Sequence, residues 1–309
     1  MRLVLLVISC VGLAWAAPRQ VAITIDDLPV AHSGPGACGF DRLMELTGRL
    51  LKPIREGKVP VTAFVIAGNC EALTDAQWRG ALKLWMDAGA EIGNHTWSHQ
   101  SLTTTPVAEY EADIQKADER IRSLTGKARL EYFRSPMLHT GATPAVKVEL
   151  ERFLAEHRWT QSPVTFDNSD WMFSYVLADA RKRGDKSLEA RVKAEYVPYM
   201  ESVIEFFERR SVEVVGREFP QILLMHANVL NSELLPDLLG MLKRRGYQFI
   251  SLREALKDPA YSLPNDYAGG NGISWLHRWS RTKGMPPRGE PDEPKWLTEA
   301  HATARRPAK

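Results

Sequence analysis

Short apolar segments rich in β-branched residues alternate with amphipathic segments along most of this chain, and this alternation limits the possible folds more than any other feature. Residues 20–25 read QVAITI, which predicts a strand, and residues 41–55 follow with leucines at helical spacing. Further strands are predicted at 59–66, 90–92, 131–133, 161–166, 221–225 and 247–251, with helices at 78–88, 106–125, 144–157, 194–209 and 233–245. Strands that alternate with helices favour a parallel sheet covered by helices, either open or closed into a barrel.

Two local patterns refine this reading. Thr105 followed by Pro106 predicts a helix start, with Thr105 as the N-cap and Pro106 at the first helical position. From residue 258 onward the composition shifts to Tyr, Trp, Pro and Gly, which predicts an irregular C-terminal extension.

The first residues indicate export. Met1-Arg2 is followed by an almost wholly apolar stretch at 3–15 and by Ala14-Trp15-Ala16, which is typical of a signal peptide and too short for a membrane span. Export to the periplasm or outside the cell is therefore predicted, with no transmembrane span in the mature chain. A lipoprotein anchor at Cys10 is not favoured, because the apolar run before it is short.

Two cysteines remain after such a cleavage, Cys38 and Cys70. They are expected either to form one disulfide in an oxidising compartment or to stay as two buried thiols. The formal net charge of +2, with no basic stripe, argues against a nucleic-acid partner.

The segment EIGNHTWSHQSL at 91–102 places His95 and His99 four residues apart. On a helix this spacing would put both imidazoles on one face, within reach of a single metal ion, although two surface histidines would give the same pattern. A metal site needs a third ligand, and a catalytic one also needs an open coordination position.

Polar, chemically competent side chains follow five of the predicted strands. The residues singled out at these strand ends, including apolar neighbours of the polar ones, are Asp26 and Asp27; His95 and His99; Arg134, Pro136 and Met137; Asp167, Asp170 and Trp171; and His226. Because active sites of parallel α/β folds lie at the carboxyl ends of the strands, these side chains are expected to converge.

The order of I-D-D, H-T-W-S-H, F-R-S-P, D-N-S-D-W and L-M-H closely resembles the five motifs of the polysaccharide deacetylases, the NodB-homology group of carbohydrate esterase family 4. The resemblance covers residues 21–256 and implies a distorted (β/α) barrel. It divides the chain into a signal peptide at 1–17, a catalytic domain at 18–258 with a helical insert at 172–217, and the extension at 259–309.

The resemblance also implies the chemistry of the site. Asp27, His95 and His99 would hold one divalent metal ion, expected to be zinc, with cobalt, manganese or nickel as alternatives. Asp26 would be the general base, and Arg134 would orient it and keep its pKa low.

The remaining motifs imply the other roles. The backbone N–H of Met137 would stabilise the tetrahedral oxyanion, and His226, paired with Asp170, would be the general acid. Trp171 would form an apolar wall beside the acetyl group, and Pro136 would also contact the substrate.

The chain departs from the family pattern at three places. Leu28-Pro29 follows the Asp pair where the family has Gly, and Met137 replaces the usual Tyr. The insert at 172–217 is longer than usual; together with an aromatic tail it is expected to narrow the cleft to a short glycan or a chain end. The tail tryptophans are Trp275, Trp279 and Trp296.

The implied function is removal of N-acetyl groups from N-acetylglucosamine-type glycans of the cell envelope or from chitin-like oligosaccharides. The alternatives are an O-acetyl esterase on the same scaffold and a carbohydrate-binding homologue without turnover. Retention of every chemically required residue argues against the second alternative, and a general acid favours an amide substrate, because amines leave poorly unless protonated.

Overall fold

The computed structural model describes residues 18–31 and 37–305, so the predicted signal peptide and Cys10 lie outside the described residues. The strands are β1 (Arg19–Leu28), β2 (Val61–Val65), β3 (Glu91–Asn94), β4 (Tyr132–Phe133), β5 (Thr160–Gln161), β6 (Gln221–His226) and β7 (Tyr247–Ile250). The helices are α1 (Phe40–Gly57), α2 (Asp75–Asp87), α3 (Val107–Thr125), α4 (Pro144–Glu156), α5 (Asp170–Arg183), α6 (Lys186–Val215), α7 (Val229–Arg244), α8 (Leu252–Ala255), α9 (Trp275–Thr282) and α10 (Lys295–Ala304).

The strands form one sheet whose pairings are parallel, in the order β5-β4-β3-β2-β1-β6. β7 also pairs with β1, at the start of that strand. Helices cover the sheet, and its central strands are therefore largely buried; every residue of β2 is buried, as are Val21–Asp26 of β1. The predicted alternation of strands and helices is therefore confirmed.

The segment that follows β5 closes the sheet into a distorted barrel. β5 pairs with β4, and a few residues later Phe166 bridges to Leu223 of β6. The backbone N–H groups of Thr165 and Phe166 both donate to the Ile222 carbonyl at 3.0 Å. Residues 160–166 thus join β4, near one edge of the sheet, to β6 at the other edge. The expected barrel class is therefore confirmed.

Two of three local expectations need revision. α3 begins at Val107, with Pro106 in the capping position and no side-chain cap, so the expected cap by Thr105 is wrong. The region of the insert forms most of α5 and the long α6, which buries Tyr196, Met200 and Phe207 in the core. The C-terminal extension is less irregular than expected, because it contains α9 and α10.

Cys38 and Cys70 are joined by a disulfide, which answers the question the sequence left open. The bond links the segment after β1 to the segment after β2, at the carboxyl end of the sheet. In the described part of the chain, we find no helix with the length and apolar character needed to span a bilayer.

Candidate metal and catalytic site

The polar residues that follow the strands do converge at the carboxyl edge of the sheet. Most of them line one cleft of about 550 Å³, here called the main cleft. Its lining residues are Asp26, Asp27, His95, His99, Met137, Leu138, His139, Asp167, Asn168, Ser169, Trp171, Leu224, His226, Gly272 and Glu290. A second cavity of about 420 Å³ shares Asp27 and His99 with it and extends past Trp97.

Asp27, His95 and His99 form a compact set of metal-ligand atoms. Oδ1 of Asp27 lies 3.4 Å from Nε2 of His95 and 3.4 Å from Nε2 of His99. One ligand atom from each of the three residues lies within 4.8 Å of the others. Oδ1 of Asp27 is buried and accepts no hydrogen bond in the described structure, which is costly for a carboxylate unless a cation compensates it. This donor set of one carboxylate and two imidazoles fits zinc.

The protonation states of these groups also suit metal binding. Burial raises the pKa of Asp27, but the nearby imidazoles outweigh it and hold that pKa below its ordinary value. Burial lowers the pKa of His99 to about 4, although Asp27 opposes the shift. Both groups are therefore deprotonated near neutral pH, as a metal ligand must be.

His95 is oriented by the backbone. Its Nδ1 lies 2.7 Å from the carbonyl oxygen of Arg134, which can only accept, so Nδ1 carries the proton. Nε2 therefore presents its lone pair toward Asp27. Metal-ligating histidines commonly donate their second nitrogen in this way.

The two histidines do not share a helical face, so that part of the spacing argument is wrong. Residues 95–99 form a loop, in which Thr96 has φ 68° and His99 has φ 56°. The Thr96 hydroxyl accepts a hydrogen bond from the His99 N–H at 2.9 Å and holds the turn. Left-handed backbone at non-glycine residues costs energy and is concentrated at functional sites, where the surroundings maintain it.

Left-handed backbone also explains how two adjacent aspartates reach one cleft. Neighbouring residues of a strand normally point to opposite faces. Asp27 has φ 65°, which breaks the extended geometry at the end of β1. Both Asp26 and Asp27 consequently line the main cleft.

Asp26 is paired with Arg134. The carboxylate is 2% exposed, and its Oδ2 lies 3.2 Å from Nη1 of the fully buried Arg134. Nη2 of Arg134 donates to the hydroxyl oxygens of Thr24 at 3.1 Å and Ser162 at 2.9 Å. Burial lowers the pKa of Arg134, and Asp26 opposes that shift. The pair fixes the Asp26 carboxylate, whose Oδ2 is 3.8 Å from Nε2 of His95.

His226 is held by Asp170, which is completely buried. Nδ1 of His226 lies 2.6 Å from Oδ1 of Asp170, and the His226 N–H donates to Oδ2 at 2.9 Å. Side-chain amides of Asn231 and Asn228 donate to the same Oδ2 at 2.6 and 3.3 Å. Burial lowers the pKa of His226, but the charge of Asp170 and its hydrogen bond outweigh this effect and raise it to about 10.

The apolar wall of the main cleft consists of Met137 and Trp171, which are 46% and 45% exposed. Pro136, expected to contact the substrate, is buried at the start of a short 3-10 turn (Pro136–Leu138) and is not among the cleft-lining residues of the described structure. The turn buries Pro136 and leaves Met137 at the surface. The contact of Pro136 with the substrate therefore stays a prediction, and the exposed Met137 is the residue of this turn that lines the cleft.

The tail tryptophans do not act as expected either. Trp275 and Trp279 are buried in the core, and Trp296 packs against Phe173. The extension instead reaches the cleft through Gly272 and Glu290, which sequence reasoning missed. They are more than 40 residues beyond the last motif residue, and no spacing pattern connects them to it.

Asp167 and His139 are further cleft residues. Burial and the charge of Glu290 raise the pKa of Asp167 to about 7, and its Oδ1 accepts from the Asn168 N–H at 2.9 Å. Nδ1 of His139 lies 2.7 Å from the Ser101 hydroxyl oxygen. His32 lies outside the described residues.

Comparison with known proteins links these features to one family. A family model described as polysaccharide deacetylase matches residues 16–150. A peptidoglycan-N-acetylglucosamine deacetylase of Bacillus cereus is 30% identical over 117 residues, which cover 38% of this chain and 36% of that protein. A chitooligosaccharide deacetylase of Rhizobium leguminosarum bv. trifolii is 28% identical over 121 residues, which cover 39% of this chain and 48% of that protein. The matches thus span less than half the length of these two relatives.

Among solved structures, a CE4 family pseudoenzyme from Bacillus anthracis superposes with a TM-score of 0.51 at 20% identity. The superposition covers 77% of this chain and 66% of that one. At this identity the likeness concerns the fold alone, which agrees with the distorted barrel described above.

Proposed function

We propose that this chain, whose residues 16–150 match the polysaccharide deacetylase family model, is a metal-dependent hydrolase that removes N-acetyl groups from N-acetylglucosamine-type glycans, either of the cell envelope or of chitin-like oligosaccharides. One observation carries the proposal. A three-ligand metal set lies in the same cleft as an Arg-paired carboxylate and an Asp-paired histidine. Metal-assisted amide hydrolysis uses these three components together: a metal site that polarises the carbonyl, a general base and a general acid.

Asp27, His95 and His99 would hold the metal ion, and zinc suits their donor atoms best. When bound, a divalent cation polarises the acetyl carbonyl and lowers the pKa of the attacking water. The buried Oδ1 of Asp27, which has no other partner, supports this assignment.

Asp26 is assigned the role of general base. It would take a proton from water as the water oxygen attacks the carbonyl carbon. Arg134 holds the Asp26 carboxylate through Nη1, and Thr24 and Ser162 in turn hold Arg134. The base therefore needs little reorganisation to reach its working position.

The backbone N–H of Met137 is assigned to the oxyanion that develops on the carbonyl oxygen. His226 would donate its Nε2 proton to the departing nitrogen, which breaks the C–N bond and releases an amine and acetate. Asp170 keeps His226 protonated for this step, because the carboxylate accepts from Nδ1. Trp171 would contact the acetyl methyl.

Export to the periplasm or the medium accompanies this proposal. The N-terminal 17 residues have the pattern of a signal peptide. A disulfide between Cys38 and Cys70 suits an oxidising compartment. N-terminal sequencing of the protein recovered outside the cytoplasm should give a mature chain that begins at Ala17 or Pro18.

The test uses purified protein stripped of metal and then loaded with zinc, cobalt, manganese or nickel. Acetate release is measured on N-acetylglucosamine oligomers of increasing length and on peptidoglycan, with an O-acetylated glycan beside them. We expect release from the N-acetylated glycans, loss of it with a chelator, and recovery with zinc. Glycan binding without acetate release would make the chain a binding homologue, and release from the O-acetylated glycan alone would make it an esterase.

Chain-length dependence tests the proposed narrow cleft. A rate per site that falls as the oligomer lengthens is expected if the extension restricts the cleft to short glycans or chain ends. An unchanged rate per site up to long polymer would reject the restriction and leave the deacetylase proposal intact.

A further inference from the structure

The loop that presents Met137 is strained. Residues 135–141, here called the 135–141 loop, connect β4 to α4 and contain two consecutive left-handed residues, Met137 with φ 54° and Leu138 with φ 55°. Local bonds within it run from the Leu138 N–H to the Ser135 carbonyl and from the His139 N–H to the Pro136 carbonyl, both at 3.0 Å. Such a conformation persists only where neighbouring structure supports it.

That support comes from the C-terminal extension. Arg278 of α9 is completely buried, and its Nη2 donates to the Leu138 carbonyl at 2.5 Å. Its Nη1 donates to the Thr140 hydroxyl at 2.5 Å, and its Nε to the Ile273 carbonyl at 2.9 Å. One guanidinium thus ties the 135–141 loop to the extension. Its carbon lies 4.0 Å from the centre of the Trp275 ring, which packs against it.

The polypeptide just before α9 also touches the loop. The Gly269 N–H donates to the Gly141 carbonyl at 3.0 Å. Gly272 approaches so closely that a Cβ at this position would lie 1.7 Å from the Met137 carbonyl oxygen. Two residues earlier, a Cβ on Gly270 would meet no atom within 4 Å. Gly272 and Met137 both line the main cleft.

We propose that Gly272 and Arg278 of the C-terminal extension have a positioning role in catalysis, in which they set the 135–141 loop so that the Met137 N–H faces the oxyanion. The inference deepens the proposed deacetylase function and rests on it. Gly272 and Arg278 are positioning residues, because they act through the loop and not on the reacting atoms. The extension is then part of the active site, although it lies outside all five motifs.

The sharpest test compares Gly272→Ala with Gly270→Ala in the full-length, zinc-loaded protein. The methyl group at position 272 must push the Met137 carbonyl away, whereas the one at position 270 enters open space. A displacement of about 1 Å at a catalytic group costs on the order of 100-fold in rate. We therefore expect a fall in kcat of that order for Gly272→Ala, with unchanged KM and zinc affinity, and wild-type kinetics for Gly270→Ala.

A second pair of variants tests the guanidinium. Arg278→Ala should lower kcat at least tenfold, and added methylguanidinium should restore part of the loss by occupying the vacated space. Arg281→Ala is the matched control, since Arg281 lies on the same helix but is exposed. Methylguanidinium should leave the wild-type enzyme and this control unchanged.

The outcomes separate the two proposals. No acetate release by the wild-type protein on any acetylated glycan would overturn the function and this inference together. Wild-type turnover with an unaltered kcat in Gly272→Ala and Arg278→Ala would overturn the inference alone. Loss of zinc or a collapse of the melting temperature in step with kcat, without rescue by methylguanidinium, would also overturn it, because the extension would then be only a structural support.

Discussion

Asp170→Asn is the substitution that most directly separates the chemistry of the site from its shape. Oδ2 of Asp170 accepts from the His226 N–H and from Asn231, and the amide oxygen of an asparagine can keep both bonds. The NH2 group would then replace Oδ1 opposite Nδ1 of His226. Two donors cannot bond to each other, so Nδ1 must become an acceptor and the ring must carry its single proton on Nε2. The variant therefore favours a neutral His226 while the geometry of the hydrogen bonds around it stays almost unchanged.

The size of the effect follows from the pKa of His226, which is raised from 6.5 to about 10, where Asp170 outweighs burial. Without the carboxylate only burial and weaker charges remain, and the pKa should fall to 6.5 or below. At pH 8, at most about one molecule in thirty would then carry the imidazolium. We expect kcat at pH 8 to drop roughly 30-fold or more and to recover partly as the pH is lowered toward 6.

The raised pKa of His226 also makes the free energy of unfolding depend on pH. A histidine whose folded pKa exceeds its unfolded value stabilises the fold fully below the unfolded pKa and loses this contribution as the pH rises through the folded pKa. For His226 the window runs from about 6.5 to about 10, and the upper bound is roughly 5 kcal/mol. The wild-type protein should lose stability across this window, and Asp170→Asn should lose less.

Two measurements check this reasoning on zinc-free protein, to which the quoted pKa applies. Nitrogen chemical shifts of His226 followed against pH report its pKa and tautomer, and urea unfolding at pH 6, 8 and 10 reports the linkage. Asp167→Asn is the control, because it removes a carboxylate of the same cleft that accepts its hydrogen bond from the Asn168 N–H. A variant in which His226 still titrates near pH 10, or whose kcat at pH 8 equals that of the wild type, would refute the argument.

Three further predictions concern the base, the metal and the disulfide. Asp26→Asn should keep stoichiometric zinc by atomic absorption. Its kcat should fall at least about 100-fold, since general base catalysis contributes that much to the rate. A variant that binds no zinc would show instead that Asp26 is a metal ligand. His99→Ala should lose both zinc and activity, and zinc added back after chelation should restore the wild type but not the variant. Replacing Cys38 and Cys70 by Ser opens a crosslink across 32 positions and should lower the free energy of unfolding in urea by roughly 4 kcal/mol, while an unchanged midpoint would contradict the loop-entropy reasoning.

Sequence patterns predicted the structure correctly wherever a single local pattern determines it. The β-branched run at 20–25 became β1, and the leucine stripe of α1 is buried as its spacing predicts, with Leu43, Leu46 and Leu50 in the core. The order of the motif residues also placed the polar side chains at one edge, because parallel strands deliver their carboxyl ends to the same side of a sheet.

The failures have a common physical cause, which is backbone geometry that no periodicity encodes. The helical interpretation of 95–99 was wrong because Thr96 and His99 adopt left-handed backbone, which is rare for such residues. The contact between Gly272 and the Met137 carbonyl joins positions 135 residues apart, so no local pattern reveals it. The burial of Pro136 is likewise decided by the backbone of a turn and not by its neighbours in sequence.

The position of β1 has a consequence for how this chain reaches its native state. β1 pairs with β2, but also with β6 and β7, which lie about 200 residues further along the chain. Pairings between such distant segments form slowly, because a large loop must close before any contact rewards it. A ribosome must therefore release almost the entire polypeptide before β1 is secured on both sides. Until then β1 is held on the β2 side alone, so the positions of Asp27 and the two imidazoles relative to each other depend on the pairings of β1 with β2 and of β2 with β3.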